Sequence, residues 1–494
     1  MKPANLFIII ILLINILGFP QDKSPDKIKG EKISLIDKQV PELMKKFSIP
    51  GLSLVVIKDA KIDISKSYGV KNVLTNEDVN DSTIFMAASL TKPVFAYLVL
   101  KLNDEGKINI DIPLYTYIPK RVLENYFIGH SMEKQGFNVE RFKKITGRMV
   151  LSHSTGLPMY QATDPLDISF EPGTEFNYSP YGFGLLEIAI YCALPIDIEH
   201  YTGTELDDIM KKYVFDPLGM NNSSMIWQDK FRQNAVVGHN LFMKTSGKFF
   251  INKQASGAST LYTTIKDYSK LIIAIMNGEG LKNKTKSKML SPQIQLAEKN
   301  NFWGLGVGLE RQDNDYYFWQ WGDYGLFKSF MLASNSKKDG VIFFANSYYG
   351  LCPTDDIVNI TIGGKHPLFE NSIMKNYVGP IKKWTHLFCM EDINKGIEQF
   401  NREKINNPSP ISEPLITAIG NEYLNEQKFS EAISIFNLAT ETYPNSLDAL
   451  NGLAESYTKI GNTQEARKNY QIIIQLNPDD KNAKSMLKKI NSQD

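Results

Sequence analysis

The chain has 494 residues, of which 43% are hydrophobic and 22% are charged, and its formal net charge at pH 7 is +1. These values are ordinary for globular proteins, and the length is enough for two or three domains. The balanced charge gives no electrostatic reason to expect a nucleic-acid partner. Cys192, Cys352 and Cys389 lie far apart and lack metal-site spacing. At most one pair can form a disulfide, and we expect buried, small apolar side chains.

The first twenty residues have the pattern of an export signal. Met1 and Lys2 precede the apolar run LFIIIILLINIL at 6–17, which is shorter than the ~20 residues of a membrane-spanning helix. The alternative is a retained N-terminal anchor. We therefore expect residues 1–20 to be a signal peptide or N-terminal anchor, and the protein to be exported to a periplasm or beyond.

The next part of the chain has strands at both ends and helices in the middle, after a charged linker at 21–32. The predicted strands lie at 51–57, 61–69, 303–310, 316–321, 328–334 and 340–346, and predicted helices lie at 33–47, 91–105 and 265–276. Strands from both ends predict one antiparallel sheet flanked by helices. This is an α+β domain in which a helical subdomain forms one wall of a cleft.

The C-terminal part contains an internal repeat. The matching pairs, each 34 positions apart, are Tyr423 and Tyr457, Ala432 and Ala466, Phe436 and Tyr470, and Pro444 and Pro478. This period and residue pattern resemble the tetratricopeptide repeat. We expect a helical linker at 366–410, whose helix at 390–405 packs before the repeats, and all-α repeats with a capping helix at 411–494. Such repeats present a concave face to a protein partner; a stabilising or spacing appendage is the alternative.

The stretch FMAASLTKPVFAY at 85–97 places Ser89 three residues before Lys92. Residues i and i+3 share a helix face, so a helix that opens at Ser89 brings the lysine amine beside the hydroxyl. A serine nucleophile needs an adjacent base, and lysine can act as one if its surroundings lower its pKa. The unpaired N–H groups at a helix start favour an oxyanion. The pair predicts nucleophilic catalysis only if other motifs support it.

Further sequence blocks supply that support. They are ITGRMVLSHSTGLP at 145–158, FEPGTEFNYSPYGFG at 170–184, FDPLGM at 215–220, ASTLYTTIKDYSKL at 258–271 and WGLGVGL at 303–309. Together they resemble the serine β-lactamase and penicillin-binding-protein superfamily, in its class C β-lactamase-like branch, which also includes D,D-peptidases, D-aminopeptidases and esterases. The resemblance covers roughly residues 35–360 and implies a β-lactamase/transpeptidase-like fold. We therefore assign residues 33–365 to a β-lactamase-like serine hydrolase domain.

By this resemblance Ser89 is the nucleophile, Lys92 is its partner and Tyr178 is the tyrosine of the Y-x-N motif. A phenol near a lysine ammonium can be held partly as phenolate, accept the serine proton and pass it to the leaving group. A core role is the alternative for Tyr178. The motif's asparagine is replaced by Pro180, which removes a side-chain amide. His153 suggests a triad with Ser89, but the resemblance gives it a structural role in its loop.

The third family motif, K-T-G or H-x-G, best matches Gln320, Trp321 and Gly322. Gln320 stands where a cation is usual, so a charge that would hold a substrate carboxylate is absent. The resemblance implies that the backbone N–H groups of Ser89 and Asp323 form the oxyanion hole. It also implies that Trp321 walls the acyl pocket, with a core role as the alternative.

We predict a secreted serine hydrolase that forms an acyl-enzyme on Ser89. Its activity would be esterase-like or peptidase/amidase-like on a small ester, amide or peptide, with cell-wall peptides among the candidates and no cofactor or metal. Pro180 and Gln320 favour an esterase or an atypical peptidase over an efficient β-lactamase. The alternatives are a non-hydrolytic module that binds a peptide or penicillin-like ligand while the repeats recruit a partner, and a scaffold dominated by the repeats.

Overall fold

The structure is a computed structural model that describes residues 25–125, 134–159, 166–194, 196, 198–312 and 315–492. The signal peptide or anchor predicted at 1–20 lies outside these residues. Within the described ranges, every helix is too short or too polar to cross a membrane.

The N-terminal domain is built on an antiparallel sheet. The strands are β1 (Gly51–Lys58), β2 (Lys61–Asn72), β3 (Glu77–Asp78), β4 (Phe85–Met86), β5 (Tyr262–Thr263), β6 (Ile294–Gln295), β7 (Asn301–Trp303), β8 (Gly308–Gln312), β9 (Asp315–Tyr324), β10 (Phe327–Ser334) and β11 (Gly340–Ala345). Nine of them form one sheet in the order β3-β2-β1-β11-β10-β9-β8-β7-β6, and β4 pairs with β5 separately. Val55 of β1 lies opposite Ile342 of β11, which confirms the prediction of one sheet built from both ends of the domain.

The strand predicted at 303–310 is wrong as a single element, because a turn at 304–307 divides it into β7 and β8. Gly306 has a φ of +83°. A Cβ at this position would lie 2.2 Å from the Ala96 Cβ, so only glycine allows the turn to approach the helix that carries Ala96. The Gly306 N–H donates to the Leu151 carbonyl at 2.8 Å. The turn therefore joins the sheet to the helical part of the domain.

The helices cover both faces of the sheet and form the C-terminal part. They are α1 (Pro25–Lys46), α2 (Thr91–Asp104), α3 (Lys120–Leu123), α4 (Val139–Phe142), α5 (Gly147–Leu151), α6 (Pro180–Ala193), α7 (Glu205–Met210), α8 (Asp216–Leu218), α9 (Ile265–Asn277), α10 (Asn283–Met289), α11 (Thr354–Thr361), α12 (Met374–Asn376), α13 (Lys382–Thr385), α14 (Ile393–Lys404), α15 (Glu413–Asn425), α16 (Phe429–Thr442), α17 (Leu447–Lys459), α18 (Thr463–Leu476) and α19 (Lys481–Asn491). Short 3-10 and π turns lie at Ala88–Leu90, Leu114–Thr116, Ile198–His200, Lys211–Phe215, Asp229–Gln233, Pro367–Glu370, Tyr377–Ile381 and His386–Met390.

The linker predicted at 21–32 is wrong from residue 25 onward, because α1 already begins at Pro25. Proline suits the first turn of a helix, where its missing N–H has no helical partner to lose. The Lys29 amine pairs with Asp63 of β2 at 2.7 Å. The charged residues at 25–32 therefore form the first turns of α1, which contacts the sheet through this ion pair.

Two apolar cores lie on the two faces of the sheet. One contains buried residues of α2, α6 and α9, such as Phe95, Phe183 and Ile272. The other is continuous from α1 through the sheet into the C-terminal helices, and it includes Trp384 and Phe436. The segment at 374–390 is therefore packed against the domain, and the first repeat shares its core.

The C-terminal helices form two antiparallel pairs, α15 with α16 and α17 with α18, followed by α19. The ring of Phe436 in α16 lies against two glycines, Gly420 and Gly452, where a Cβ would approach ring carbons to 2.6 and 2.2 Å. Small residues at these positions let the three helices approach closely. The 34-residue period thus corresponds to one helix pair per repeat, as predicted.

We expect Gly452→Ala to lower the free energy of unfolding of the repeats by about 1–3 kcal/mol, because the added methyl overpacks a fully buried ring. Urea unfolding followed by far-ultraviolet circular dichroism measures the change.

Gly30→Ala in α1 is the matched control, because Gly30 is exposed and its added methyl meets no atom within 4 Å. This substitution should raise the stability by about 0.5–1 kcal/mol, since alanine loses less backbone entropy in a helix. Equal shifts in both variants would contradict the packing described here.

Candidate active site

Ser89 lies in the 3-10 turn that leads directly into α2. The preceding residue, Ala88, has a φ of +50°, which is unusual for a residue with a side chain and presents the serine at a sharp bend. The Ser329 hydroxyl of β10 donates to the Ala87 carbonyl at 2.7 Å. A Cβ on Gly322 would lie 2.5 Å from that same carbonyl oxygen. The turn is therefore held close against β9 and β10, and glycine at 322 is required for this approach.

The Lys92 amine is the central group of the site. Its Nζ donates to Ser89 Oγ at 3.0 Å and to the Ala258 carbonyl at 2.8 Å. The side chain is 1% exposed, and within the described residues no carboxylate pairs with it. Burial lowers the pKa of Lys92 from 10.5 to about 7. A substantial fraction of the amine is therefore neutral near pH 7 and can accept the Ser89 proton.

Tyr178 and Gln320 complete the group around the nucleophile. The ring centroid of Tyr178 lies 5.0 Å from Lys92 Nζ. Gln320 is fully buried, and its Nε2 donates to the Tyr178 hydroxyl oxygen at 3.1 Å and to the Ser89 carbonyl at 3.3 Å. A donor on the phenolic oxygen favours its role as a proton acceptor. Gln320 thus contacts Tyr178, the tyrosine predicted to be catalytic, and its own Oε1 has no partner among the described residues.

His153 has a structural place in its loop. Its Nδ1 accepts the Ser179 N–H at 3.0 Å, and its ring lies 4.3 Å from the ring of Tyr178. Burial and the nearby Lys92 hold the pKa of His153 well below its usual value, so the ring is neutral. The imidazole therefore fixes the backbone and the stacking of the Tyr178 segment, and it forms no triad with Ser89.

The end of β9 offers backbone groups to the site. The pairing of β8 with β9 stops at Gly308 opposite Trp319, which leaves the edge of β9 open beyond that residue. The β9–β10 hairpin closes at Tyr324 opposite Phe327, so Asp323 occupies a non-hydrogen-bonded position. Its N–H consequently points away from β10, toward the open edge. This direction agrees with the oxyanion role that the sequence implies for Asp323 and Ser89.

Trp321 is 8% exposed, and its ring lies 4.6 Å from the ring of Tyr178 and 5.9 Å from that of Trp319. The Trp321 ring therefore packs against the ring of Tyr178. The predicted role of Trp321 as a wall of the acyl pocket stays a prediction. A cavity of about 430 Å³ is lined by one face of α6 and by the loop at 255–259, and its described lining includes neither Trp321 nor Ser89.

This cavity has mostly apolar and aromatic walls. Pro180, Ile188 and Tyr191 of α6 contribute to the lining, as does Ala258, whose carbonyl accepts from the Lys92 amine. Pro180 thus replaces the motif's amide with an apolar wall at the first position of α6. The sequence analysis missed this wall, although the spacing of 180, 184, 187, 188 and 191 marks one helix face.

Glu187 is the buried acid of the cavity wall. It accepts from the Tyr191 hydroxyl at 2.5 Å and from the Gly257 N–H at 3.0 Å. Burial raises its pKa to about 7. The described lining contains no lysine or arginine, and it therefore offers neither cation to an anionic substituent. Three-residue clusters of metal-ligating side chains are also absent from the part of the chain that the structure describes.

The fold and the site of Ser89, Lys92 and Tyr178, in which the lysine is buried, are those of a β-lactamase/transpeptidase-type serine hydrolase. A family model described as Beta-lactamase matches residues 36–360, and a model described as Tetratricopeptide repeat matches residues 423–490. The chain belongs to the Beta-lactamase family and carries a C-terminal tetratricopeptide repeat region.

Curated relatives are distant. The chain is 23% identical over 296 residues to the Unguisins hydrolase ungD of Aspergillus violaceofuscus, covering 53% of this chain and 48% of that protein. It is 22% identical over 346 residues to Protein flp of Staphylococcus aureus strain N315, covering 65% of this chain and 64% of that protein. The chain thus spans less than two thirds of either relative.

Solved structures show the same fold. The octameric penicillin-binding protein homologue from Pyrococcus abyssi matches with a TM-score of 0.53 and 19% identity over 64% of this chain and 73% of that one. The D-alanine carboxypeptidase AmpC from Burkholderia cenocepacia matches with a TM-score of 0.55 and 17% identity over 67% of this chain and 98% of that one. These similarities support the α+β fold predicted from the sequence.

The lowered pKa of Lys92 predicts how acylation depends on pH. If the neutral Lys92 amine is the base, the rate of Ser89 acylation should rise as pH increases through about 7 and then level off. Stopped-flow acylation by a p-nitrophenyl ester between pH 5 and 9 measures this profile. Lys92→Arg, whose side chain stays protonated, should lose about 10²–10⁴ of the rate. A flat pH profile would contradict the assignment of Lys92 as base.

Proposed function

We propose that the protein is an exported hydrolase that cleaves uncharged esters or amides through an acyl-enzyme on Ser89. The observation that carries this proposal is the buried Lys92 amine, 3.0 Å from the serine hydroxyl and without a carboxylate partner among the described residues. Such an amine is costly to bury and becomes useful as a base once its pKa is lowered. Export rests on the pattern of residues 1–20.

The reaction begins when Lys92 accepts the Ser89 proton and the serine oxygen attacks the substrate carbonyl. The negative charge that develops on the carbonyl oxygen is stabilised by the backbone N–H groups of Ser89 and Asp323. Tyr178 and Lys92 then return a proton to the leaving group, and the acyl-enzyme forms. Water, activated by the same bases, hydrolyses the acyl-enzyme and restores the serine.

The surroundings favour an acyl group without charge. Gln320 is turned toward Tyr178, Pro180 presents an apolar surface, and the cavity contains no lysine or arginine in its described lining. An alkyl or aromatic acyl group gains the transfer energy of its buried surface there, whereas a carboxylate would lose hydration without a partner. Amides remain candidates, since the relatives include proteins named as a hydrolase of unguisins and a D-alanine carboxypeptidase. Cell-wall peptides are the candidate natural amides.

A non-hydrolytic binding module is the second candidate, and the replacements at Pro180 and Gln320 favour it. Both remove groups by which related enzymes hold their substrates. The geometry of Ser89, Lys92 and Tyr178 favours catalysis instead, because non-covalent binding does not require a base with a lowered pKa beside a hydroxyl. We also propose that the repeats bind a protein partner, as tetratricopeptide repeats commonly do.

Ser89→Ala should abolish hydrolysis of p-nitrophenyl acetate by the mature protein, because the acyl-enzyme cannot form. A chromogenic cephalosporin run in parallel should be hydrolysed far more slowly than the ester by the unmodified protein. Equal and negligible rates for both proteins on both compounds would reject the esterase and favour the binding module. Peptidoglycan fragments would then be the next substrates.

The cavity predicts selectivity for longer acyl chains. From acetate to butyrate, each added methylene should raise kcat/KM about fourfold, since burying one methylene contributes about 0.8 kcal/mol. Ile188→Trp should fill the cavity and remove this gain while leaving acetate hydrolysis close to normal. A parallel loss for acetate and butyrate would show that the acyl group lies elsewhere.

A further inference from the structure

Asp323 carries a side chain whose contacts extend far beyond the active site. Its Oδ1 accepts from the buried Lys328 amine on the neighbouring strand and from the Gly325 N–H, the latter at 3.0 Å. Its Oδ2 accepts from the Tyr377 hydroxyl at 2.8 Å. Tyr377 lies outside the region matched by the family model, which ends at 360. A residue of the C-terminal part therefore touches the strand end that is expected to hold the oxyanion.

The end of β9 has few other supports. Beyond Trp319, β9 no longer pairs with β8. The hairpin turn begins at Gly325, whose φ is +63°. Gly322, immediately before Asp323, adds no side chain that could pack. The neighbouring residues are held by the contact of Gly322 with the Ser89 turn and by the packing of Trp321 on Tyr178. At Asp323 itself, the pairing with β10 and the three donors to its carboxylate orient the peptide.

The segment that carries Tyr377 is firmly packed. Its Trp384 is buried, and the indole N–H donates to the Pro410 carbonyl at 2.9 Å. Lys382 pairs with Asp355 of α11 at 2.9 Å. Farther along, the hydroxyl of Tyr423 in the first repeat helix donates to a carbonyl of the same segment. The segment that carries Tyr377 is thus held by contacts with both the domain and the repeats.

The contact between Tyr377 and Asp323 also affects the electrostatics of the predicted oxyanion site. An unpaired carboxylate beside a developing oxyanion would oppose its charge. Lys328 and Tyr377 hold the Asp323 carboxylate and offset that charge. Burial and the Asp323 carboxylate raise the pKa of Tyr377 well above its usual value, so the phenol stays a hydrogen-bond donor.

We propose that Tyr377 is a positioning residue for the oxyanion site, acting through the Asp323 carboxylate. The segment at 374–390 then contributes a residue that the active site needs. This inference rests on the proposed function and adds to it a residue outside the matched family region.

The test uses the full-length chain and Tyr377→Phe, which deletes only the hydroxyl. We expect the rate constant of Ser89 acylation and kcat to fall about tenfold, less than the 10²–10³ lost with an oxyanion donor itself, with KM nearly unchanged. Tyr443→Phe is the matched control, because Tyr443 is also half-buried and its hydroxyl donates to the Ile411 carbonyl at 2.6 Å. Tyr443→Phe should keep the kcat and KM of the unmodified protein, and its thermal unfolding midpoint should be similar to that of Tyr377→Phe.

The second arm repeats Tyr377→Phe in an Asp323→Ala background, which keeps the backbone N–H but removes the carboxylate. The tyrosine substitution should then have no further effect on kcat. If Asp323→Ala does not fold, Asp323→Asn replaces it, and the effect should be smaller than in the unmodified protein. Normal kcat in Tyr377→Phe, or an equal loss in both backgrounds, would overturn the proposal. A failure of the unmodified protein to acylate would instead reject the proposed function.

Discussion

The constraint on which the site depends is the burial of the Lys92 amine, which has no anionic partner among the residues that the structure describes. Removing a cation from water is expensive, and this protein offsets the cost with a carbonyl, a hydroxyl and two aromatic faces instead of a carboxylate. A carboxylate would have raised the pKa of Lys92 and kept it protonated. The apolar packing of α2 and α6 around the amine is therefore a requirement of the chemistry as well as of stability.

The same principle applies to the other ionisable groups nearby. His153 is neutral because it is buried, Glu187 has a pKa of about 7, and Asp323 is paired with Lys328. Gln320 is uncharged in the place where related enzymes carry a cation. During the proposed reaction, the charges on the reacting atoms and on Lys92 therefore change more than those on these surrounding groups. A site of this kind suits an uncharged substrate, because apart from Lys92 the described groups around Ser89 offer no unpaired charge with which to compensate an ionic one.

The sequence predicted the parts of the site that local geometry determines. Ser89 and Lys92 are three residues apart, so the 3-10 turn at Ala88–Leu90 and the first turn of α2 that follows it bring them together. Tyr178 and Gln320 are far away in sequence and were predicted only through their resemblance to family motifs. The contact between Asp323 and Tyr377 follows from the packing of a segment for which the sequence showed nothing but helical spacing. The division of the strand at 304–307 likewise depends on a tertiary contact of Gly306.

The C-terminal part is joined to the domain by a shared core, which changes what a bound partner could do. A partner of the repeats would alter the reaction only if it bound two arrangements of the segment at 374–390 with different affinity. That segment contacts Tyr423 of the first repeat helix at one end and the Asp323 carboxylate at the other. The contacts needed for such coupling are therefore continuous from the first repeat to Asp323. The second repeat has its own smaller core, and it is the part of the repeats that remains to present a surface to a partner.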